Sequence, residues 1–319
     1  MNWYEGMAET MIHLPLSAWG KLGFPAWIPS WRAGIVLVLS IVTTACANVD
    51  ANVVPAGSVP GSTPVLDVYT FLPTVSSQSL EQPADDWWRP RPGTSWQWQL
   101  SGPVDTTVDV TMYDIDLFDV STATLIELHN DGRIVICYFS AGSWEDWRPD
   151  ARDFPANLLG NALEGWPDER WLDIRQIDLL APVLLARLDL AAAKGCDGVE
   201  PDNVDGYANA SGFPLTGPDQ LAYNRWLAQS AHERGLSIGL KNDLDQIPDL
   251  VGVFDWALNE QCVEFDECER LLPFVLAGKA VFGVEYAGDP AEFCPAVNAL
   301  NFDWLHKRLD LDVWRVACR

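Results

Sequence analysis

Asp197-Gly198-Val199-Glu200-Pro201-Asp202-Asn203-Val204-Asp205 is a short apolar strand that runs into a cluster of carboxylates. Strand interiors favour β-branched and aromatic side chains over Asp, so this concentration of acid marks a strand end. A second such place lies downstream, where Phe254-Asp255-Trp256-Ala257-Leu258 runs into Asn259-Glu260-Gln261-Cys262. Acids gathered where separate strands finish point to a chemical site, and to an architecture in which strand ends converge.

On either side of these two segments the chain alternates strand and helix. Strands are expected at Trp96–Leu100, Val108–Ile115, Ile134–Ser140, Trp171–Ile174, Gly198–Glu200, Ser237–Leu240, Trp256–Leu258 and Val281–Val284. Ile177, Leu180, Leu184, Leu188 and Ala191 fall at helical spacing, with Gly195 where a C-cap belongs. Thr216-Gly217-Pro218-Asp219 has the form of a capping box opening a helix that ends at Gly235, and a further helix is expected from Asp266 to Ala277. Eight strands with helices between most of them predict an α/β fold, a (β/α)8 TIM-type barrel. The connection Gly102–Thr107 is too short for a helix, so the barrel is expected to be irregular between strands one and two. A doubly wound sheet is the rival, but no Gly-x-Gly-x-x-Gly turn follows the first strand.

The 319 residues divide into three stretches. In residues 1–46, Trp31-Arg32 precedes an apolar run from Ala33 to Ala45. That run is short for a membrane span, which needs about 20 residues, and has the form of a secretory signal core. Cys46 after Thr43-Thr44-Ala45 is a lipidation candidate, although Thr43 departs from the usual Leu. Residues 47–86, rich in Pro, Gly, Ser, Thr and Val, are expected to be a flexible linker. Residues 87–319 carry the barrel. The protein is therefore expected to be secreted or anchored outside the cytoplasm, to meet a membrane only through its N-terminal segment, and to be a monomer.

Export makes the cysteines readable. Cys262 with Cys268 and Cys294 with Cys318 are candidate disulfides, and Cys137 and Cys196, in or beside strands, are read as buried thiols. No metal is expected: there is no Cys-x-x-Cys, and His13, His129, His232 and His306 have no ligand spacing. Lys and Arg number 20 against 45 Asp and Glu, a net charge of −25. That field repels nucleic acid and anionic surfaces and attracts a cationic polymer. The bland alternative is the solubility of an exported acidic protein. The 16 Trp are also ambiguous, since Trp stacks on sugars and fills cores; the count favours cores.

Polar residues stand at nearly every strand end. They include Trp98 on the first strand, Asp114 and Asp116 on the second, Tyr138 and Ser140 on the third, then Glu200, Asp202 and Asn203, Lys241 and Asn242, Glu260, and finally Glu285 and Tyr286. Trp144 and Trp147 lie in the loop after strand three, where one of them is expected to stack on sugar. Breaking a glycosidic bond needs one carboxylic acid to protonate the leaving oxygen and a second carboxylate to attack or to activate water. Each of these residues also has a plain reading. Asp202 with Glu200 and Asp205 could be a structural or calcium-binding loop without EF-hand spacing. Glu260 could be a pocket ion pair, Asp114 and Asp116 a strand-end turn, and Tyr138 and Tyr286 core residues.

Trp96-Gln97-Trp98-Gln99-Leu100, Cys137-Tyr138-Phe139-Ser140-Ala141-Gly142, the run from Asp197 to Asp205, Lys241-Asn242 and Asn259-Glu260-Gln261-Cys262, in that order, resemble glycoside hydrolase family 114, the endo-α-1,4-polygalactosaminidases. The likeness covers roughly Trp96 to Cys318. It implies a (β/α)8 fold, secretion, no cofactor, and hydrolysis of α-1,4 bonds in galactosamine-containing polysaccharide. It also implies that Asp202 and Glu260 are the catalytic acids, with either able to be the nucleophile. A hydrolase of another α-linked glycan and a non-catalytic carbohydrate-binding barrel remain as alternatives. Free amines would make the polysaccharide substrate a polycation, which agrees with the charge of the chain.

Overall fold

The computed structural model describes residues 87–319. The N-terminal extension, the signal-like run with Cys46 and the linker 47–86 lie outside the described residues. Along the chain come β1 (Trp96–Gln99), β2 (Met112–Asp116), α1 (Thr122–Asn130), β3 (Ile134–Ser140), β4 (Ser143–Glu145), β5 (Leu159–Leu163), β6 (Trp166–Leu172) and α2 (Ile177–Lys194). There follow β7 (Gly198–Asp202), α3 (Gly217–His232), β8 (Ser237–Lys241), α4 (Ile247–Leu250), β9 (Trp256–Glu260), α5 (Leu272–Leu276), β10 (Val281–Glu285), α6 (Pro290–Ala299), β11 (Asp303–His306) and β12 (Val316–Ala317).

Eight strands are parallel neighbours in the order β1-β2-β3-β7-β8-β9-β10-β11, with β12 antiparallel on β11. This is the TIM-type barrel expected from the alternation of strand and helix. The period-two pattern of each strand divides the core into two layers. Inward-facing Trp96, Trp98, Met112, Ile136, Trp256 and Phe282 fill the barrel. Outward-facing Val135, Val199 and Ile238 meet the helices through Leu128, Leu184, Leu188 and Leu227. Gly239 is glycine for a steric reason: a Cβ there would lie 2.3 Å from the ring of Trp256, its partner on β9.

The connection from β1 to β2 carries no helix, as its length required. The strand ladder runs from β1 to β11, and the seam between these two is bridged by other bonds. Trp96 Nε1 donates to Asp303 O (2.9 Å), Gln97 Nε2 to Val313 O (2.8 Å) and Leu100 N to Leu311 O (3.0 Å).

The helix expected from Asp266 to Ala277 is shorter: Asp266 is left-handed (φ 54°), Cys268–Leu271 is a 3-10 turn and only Leu272–Leu276 is α-helical, but two other helix signals are well placed. Gly195 caps α2 at φ 92°, and Thr216 and Asp219 form the reciprocal capping box of α3. Two strand assignments need correction. Trp171–Ile174 is not a barrel strand: it overlaps β6, the middle strand of an antiparallel sheet β4-β6-β5 inserted between β3 and β7. The missing barrel strand is β11, four residues long, whose Asp303-Trp304-Leu305-His306 gives too little alternation to stand out. The cysteines also need one correction. Cys262–Cys268 and Cys294–Cys318 are paired as expected, but Cys137 and Cys196 form a third disulfide. They look unrelated in sequence because the inserted sheet and α2 separate β3 from β7, which are neighbours in the barrel. Among the described residues no helix is long and apolar enough to cross a membrane.

Candidate active site

β7 and β9 deliver the two acids. Because alternate residues share a face, Glu200 and Asp202 both point into the barrel, as do Leu258 and Glu260. Between β7 and β9 lies β8, whose last residue, Lys241, is buried with its ammonium among three carboxylates. Its Nζ is 3.1 Å from Glu200 Oε1, 3.1 Å from Asp202 Oδ1 and 3.3 Å from Glu260 Oε2. The Asp202 and Glu260 oxygens are therefore no farther apart than 6.4 Å, the sum of 3.1 and 3.3 Å. Both acids remain open to the cleft, their side chains 19% and 25% exposed. Burial alone would push the Lys241 ammonium down, but the charges of Asp202, Glu200 and Glu260 outweigh it and hold the ammonium well above the usual lysine value.

Each acid is oriented by further donors. Asp202 accepts from Tyr138 Oη (3.1 Å) and from the N–H of Asn203 (2.7 Å). Glu260 accepts from Tyr286 Oη, and from Asn242 Nδ2 at 3.3 Å. Burial, followed by the charge of Asp202, drives the Tyr138 phenol well above its ordinary range; burial and Glu260 do the same to Tyr286. Both tyrosines therefore stay neutral donors. Behind each of the three strands the backbone turns through a left-handed residue, Asn203 (φ 61°), Asn242 (φ 49°) and Gln261 (φ 65°). Asn is among the few side chains that tolerate this region. The loop after β3 closes against the first of these turns. A Cβ on Gly142 would lie 1.7 Å from Asn203 O, so only glycine fits.

Asp202, Glu260, Lys241, Asn242, Tyr138 and Tyr286 thus gather at the C-terminal mouth of the barrel. Other residues singled out from the sequence have different partners. Trp98, Asp114 and Glu200 lie beneath the cleft, fully buried. Trp98 Nε1 donates to Glu200 Oε2 (3.0 Å), and its ring lies 4.8 Å from Lys241 Nζ. Ser140 and Asn203 hold the loop: Asn203 Nδ2 donates to the hydroxyls of Ser140 (3.0 Å) and Ser143 (3.1 Å). Asp116 is instead held by Arg148, which donates to both its oxygens (3.0 and 2.7 Å). Glu285 points out of the barrel and accepts from Val263 N and Trp304 Nε1. Trp144 is turned into the core with Nε1 on Ala151 O, whereas Trp147 is 53% exposed.

The sequence reading missed several groups. The inserted sheet brings Glu169, buried and bonded to Ser143 Oγ (2.6 Å), close enough to Asp202 to feel its charge; burial pushes it up to about 7. Nothing in the hairpin sequence marks it. Beside Glu260 opens a cavity of about 340 Å³, lined by Asp205, Tyr207, Asn242, Asp243 and the exposed ring of Phe265 among others. Burial, then neighbouring acid, raises Asp205 to about 6 and Asp243 to about 8. Asp205 closes the Asp197–Asp205 run, whereas Asp243 was signalled only by following Lys241-Asn242. Among the described residues no group of three His, Cys, Asp or Glu side chains is placed to hold a metal ion.

The model of glycoside-hydrolase family GH114 matches residues 77–319. The chain belongs to this family. Among solved structures, Ega3 of Aspergillus fumigatus in complex with galactosamine is 42% identical to this GH114 chain. The match covers 72% of this chain and 97% of that one, with a TM-score of 0.69. The glycoside hydrolase domain of PelA from Pseudomonas aeruginosa, 14% identical with a TM-score of 0.55 over 72% of this chain and 99% of that one, shares the fold. No curated protein sequence matched. As a GH114 member the protein is a glycoside hydrolase on a TIM-type barrel.

Proposed function

We propose that this GH114 protein is an exported hydrolase that cuts α-1,4 bonds in galactosamine-containing polysaccharide, using Asp202 as nucleophile and Glu260 as acid and base. The observation that carries the reading is the shared ammonium: Lys241 holds both acids at the cleft floor while each keeps an open face. Asp202, fixed by a cation, a phenol and a backbone N–H, is the better-oriented oxygen for attack on the anomeric carbon. Glu260 sits on the side of the additional cavity, where a leaving sugar has room. One oxygen of each acid lies within 6.4 Å of the other, which is compatible with the ~5–5.5 Å spacing of retaining enzymes.

Substrate class is supported by two independent features. The relative Ega3 was solved with galactosamine. The net charge of −25, with acids crowding the cleft, attracts a polymer bearing free amines. Export is supported by the signal-like run before Cys46 and by three disulfides in the barrel.

The test is to incubate the purified protein with deacetylated and fully acetylated galactosaminogalactan, size the products and follow their anomeric configuration by NMR. Shortened oligomers from the deacetylated polymer, first released with retained configuration, are expected. Cleavage of only some other α-linked glycan would reassign the substrate, and inverted products would remove Asp202 from the nucleophile role. Mass spectrometry of the mature N-terminus decides between lipidated Cys46 and a free end.

A further inference from the structure

We propose that Asp114 and Glu200 share one proton beneath Lys241, and that this pair, by fixing the ammonium between Asp202 and Glu260, sets the pH range in which the site works. The inference rests on the two-carboxylate reading above.

Asp114 lies on β2, faces the barrel interior and is 0% exposed. Among the described residues no N–H or O–H reaches either of its oxygens. A dry carboxylate without a donor is not a stable arrangement. What Asp114 does touch is another carboxyl group, that of Glu200, equally buried. Two abutting carboxylates become a hydrogen bond when one proton lies between them. Burial, then the charge of Glu200, pushes Asp114 well above the carboxylate range; burial raises Glu200 only to about 7, with Lys241 opposing. Lys241 and Trp98 Nε1 both face Glu200, whereas no donor among the described residues reaches Asp114, so Glu200 is the ionised partner and Asp114 carries the proton.

Glu200 then has one use for each contact. It accepts from Asp114, accepts from Trp98 Nε1 (3.0 Å), and holds Lys241 Nζ at 3.1 Å. The charged and titratable groups facing the pair are Asp202 from its own strand, Lys241 from β8 and Tyr138 from β3; Glu260 and Tyr286 face Lys241 from above. With the proton in place, Asp114, Glu200 and Lys241 form a block of zero net charge. Asp202 and Glu260 can then hold one charge and one proton between them, as hydrolysis needs. The proton is neither given to nor taken from the substrate, so Asp114 and Glu200 are positioning residues.

The experiment compares Asp114→Asn, Asp114→Leu and Glu200→Gln with the wild-type protein. One arm is the pH profile of kcat and KM on deacetylated galactosaminogalactan; the other is infrared spectroscopy at neutral pH, with thermal melting as a fold control. Asp114→Asn still donates to Glu200, so kcat and the profile should stay within about threefold of wild type. Glu200→Gln removes a negative charge beside Lys241, making the remaining acids easier to ionise, so the kcat/KM profile should move to lower pH. Asp114→Leu takes away the donor that keeps Glu200 ionised, so Glu200 takes up a proton itself, its charge beside Lys241 is lost, and the profile should move the same way. The wild-type minus Asp114→Asn difference spectrum should show one carboxylic-acid carbonyl component lost, while the contributions of Asp243 and Glu169 stay in both proteins. Identical infrared spectra, or a profile that Asp114→Asn moves as far as Glu200→Gln does, would overturn the proposal. If Asp114→Leu does not fold, the other two variants still decide. If the wild type leaves the polymer uncut but Asp114→Asn removes the band component, the shared proton stands and the substrate reading fails.

Discussion

Strands β7 and β9 each carry an acid at both ends, and the two ends treat it in opposite ways. At the N-terminal end, Asp197 and Asp255 stand one residue before their strands. Asp197 Oδ2 accepts from Val135 N (2.8 Å) and pairs with His129 (2.9 Å), which sits in the last turn of α1. Asp255 Oδ2 accepts from Ile238 N (3.0 Å) and pairs with His232 (2.9 Å), in the last turn of α3. Asp255 also accepts from Trp87 Nε1 (2.9 Å), and the Trp87 ring stacks on His232. Burial pushes Asp255 up, but the bonds and charge of His232, Trp87 and Ile238 outweigh it and hold the carboxyl below its ordinary value. Five residues later, at the C-terminal ends, Asp202 and Glu260 share a single ammonium with Glu200. Where donors outnumber acids, a carboxylate ties strand to helix. Where acids outnumber donors, the arrangement costs stability and persists because it can do chemistry.

The sharpest way to break this contrast is to neutralise the upper acids. Asp202→Asn and Glu260→Gln should each lower turnover by about 10³-fold or more, while thermal melting stays close to wild type. Near-normal turnover in either would end its assignment. The lower end should give the mirror result. Asp255→Ala removes one partner of a buried charged network and should cost about 3 kcal/mol in denaturant unfolding, with kcat per folded molecule unchanged.

Salt separates the two ends more gently. Raising ionic strength shortens the reach of the acidic cleft, so KM for a polyamine substrate should rise severalfold between about 0.05 and 0.5 M salt, with kcat nearly constant. The ends also differ in how stability follows pH. Glu200 and Glu169 at about 7, Asp205 at about 6 and Asp243 at about 8 all hold protons in the folded protein more tightly than in the unfolded chain. Their contribution is complete below the unfolded carboxyl values and is lost as pH rises through about 6 to 8. Asp255 contributes in the opposite sense, fully above its unfolded value and lost as pH falls through its lowered one. Unfolding midpoints should therefore fall between about pH 5 and pH 8, and Asp243→Asn should flatten that slope; a wild-type midpoint that rises instead would contradict the crowding of acids at the upper end.

Much of this was legible in the chain. The strand-to-acid transitions at Asp197–Asp205 and Asp255–Glu260, the helix caps at Gly195 and Thr216, and the absence of a helix after β1 are local features, set by propensity, period and capping chemistry. Those determine that the strands are parallel, that helices lie between most of them, and that carboxylates collect at one mouth. Tertiary structure alone decided which acids share a partner. Side-chain direction turned Glu285 outward, Arg148 claimed Asp116, and the core took Trp144. The inserted sheet, the short strand β11 and the Cys137–Cys196 pair also depended on neighbours distant in sequence. The reason is the range of the forces: caps and periods act within a few residues, whereas the charge state of a buried acid depends on every donor and charge that packing brings within a few ångströms.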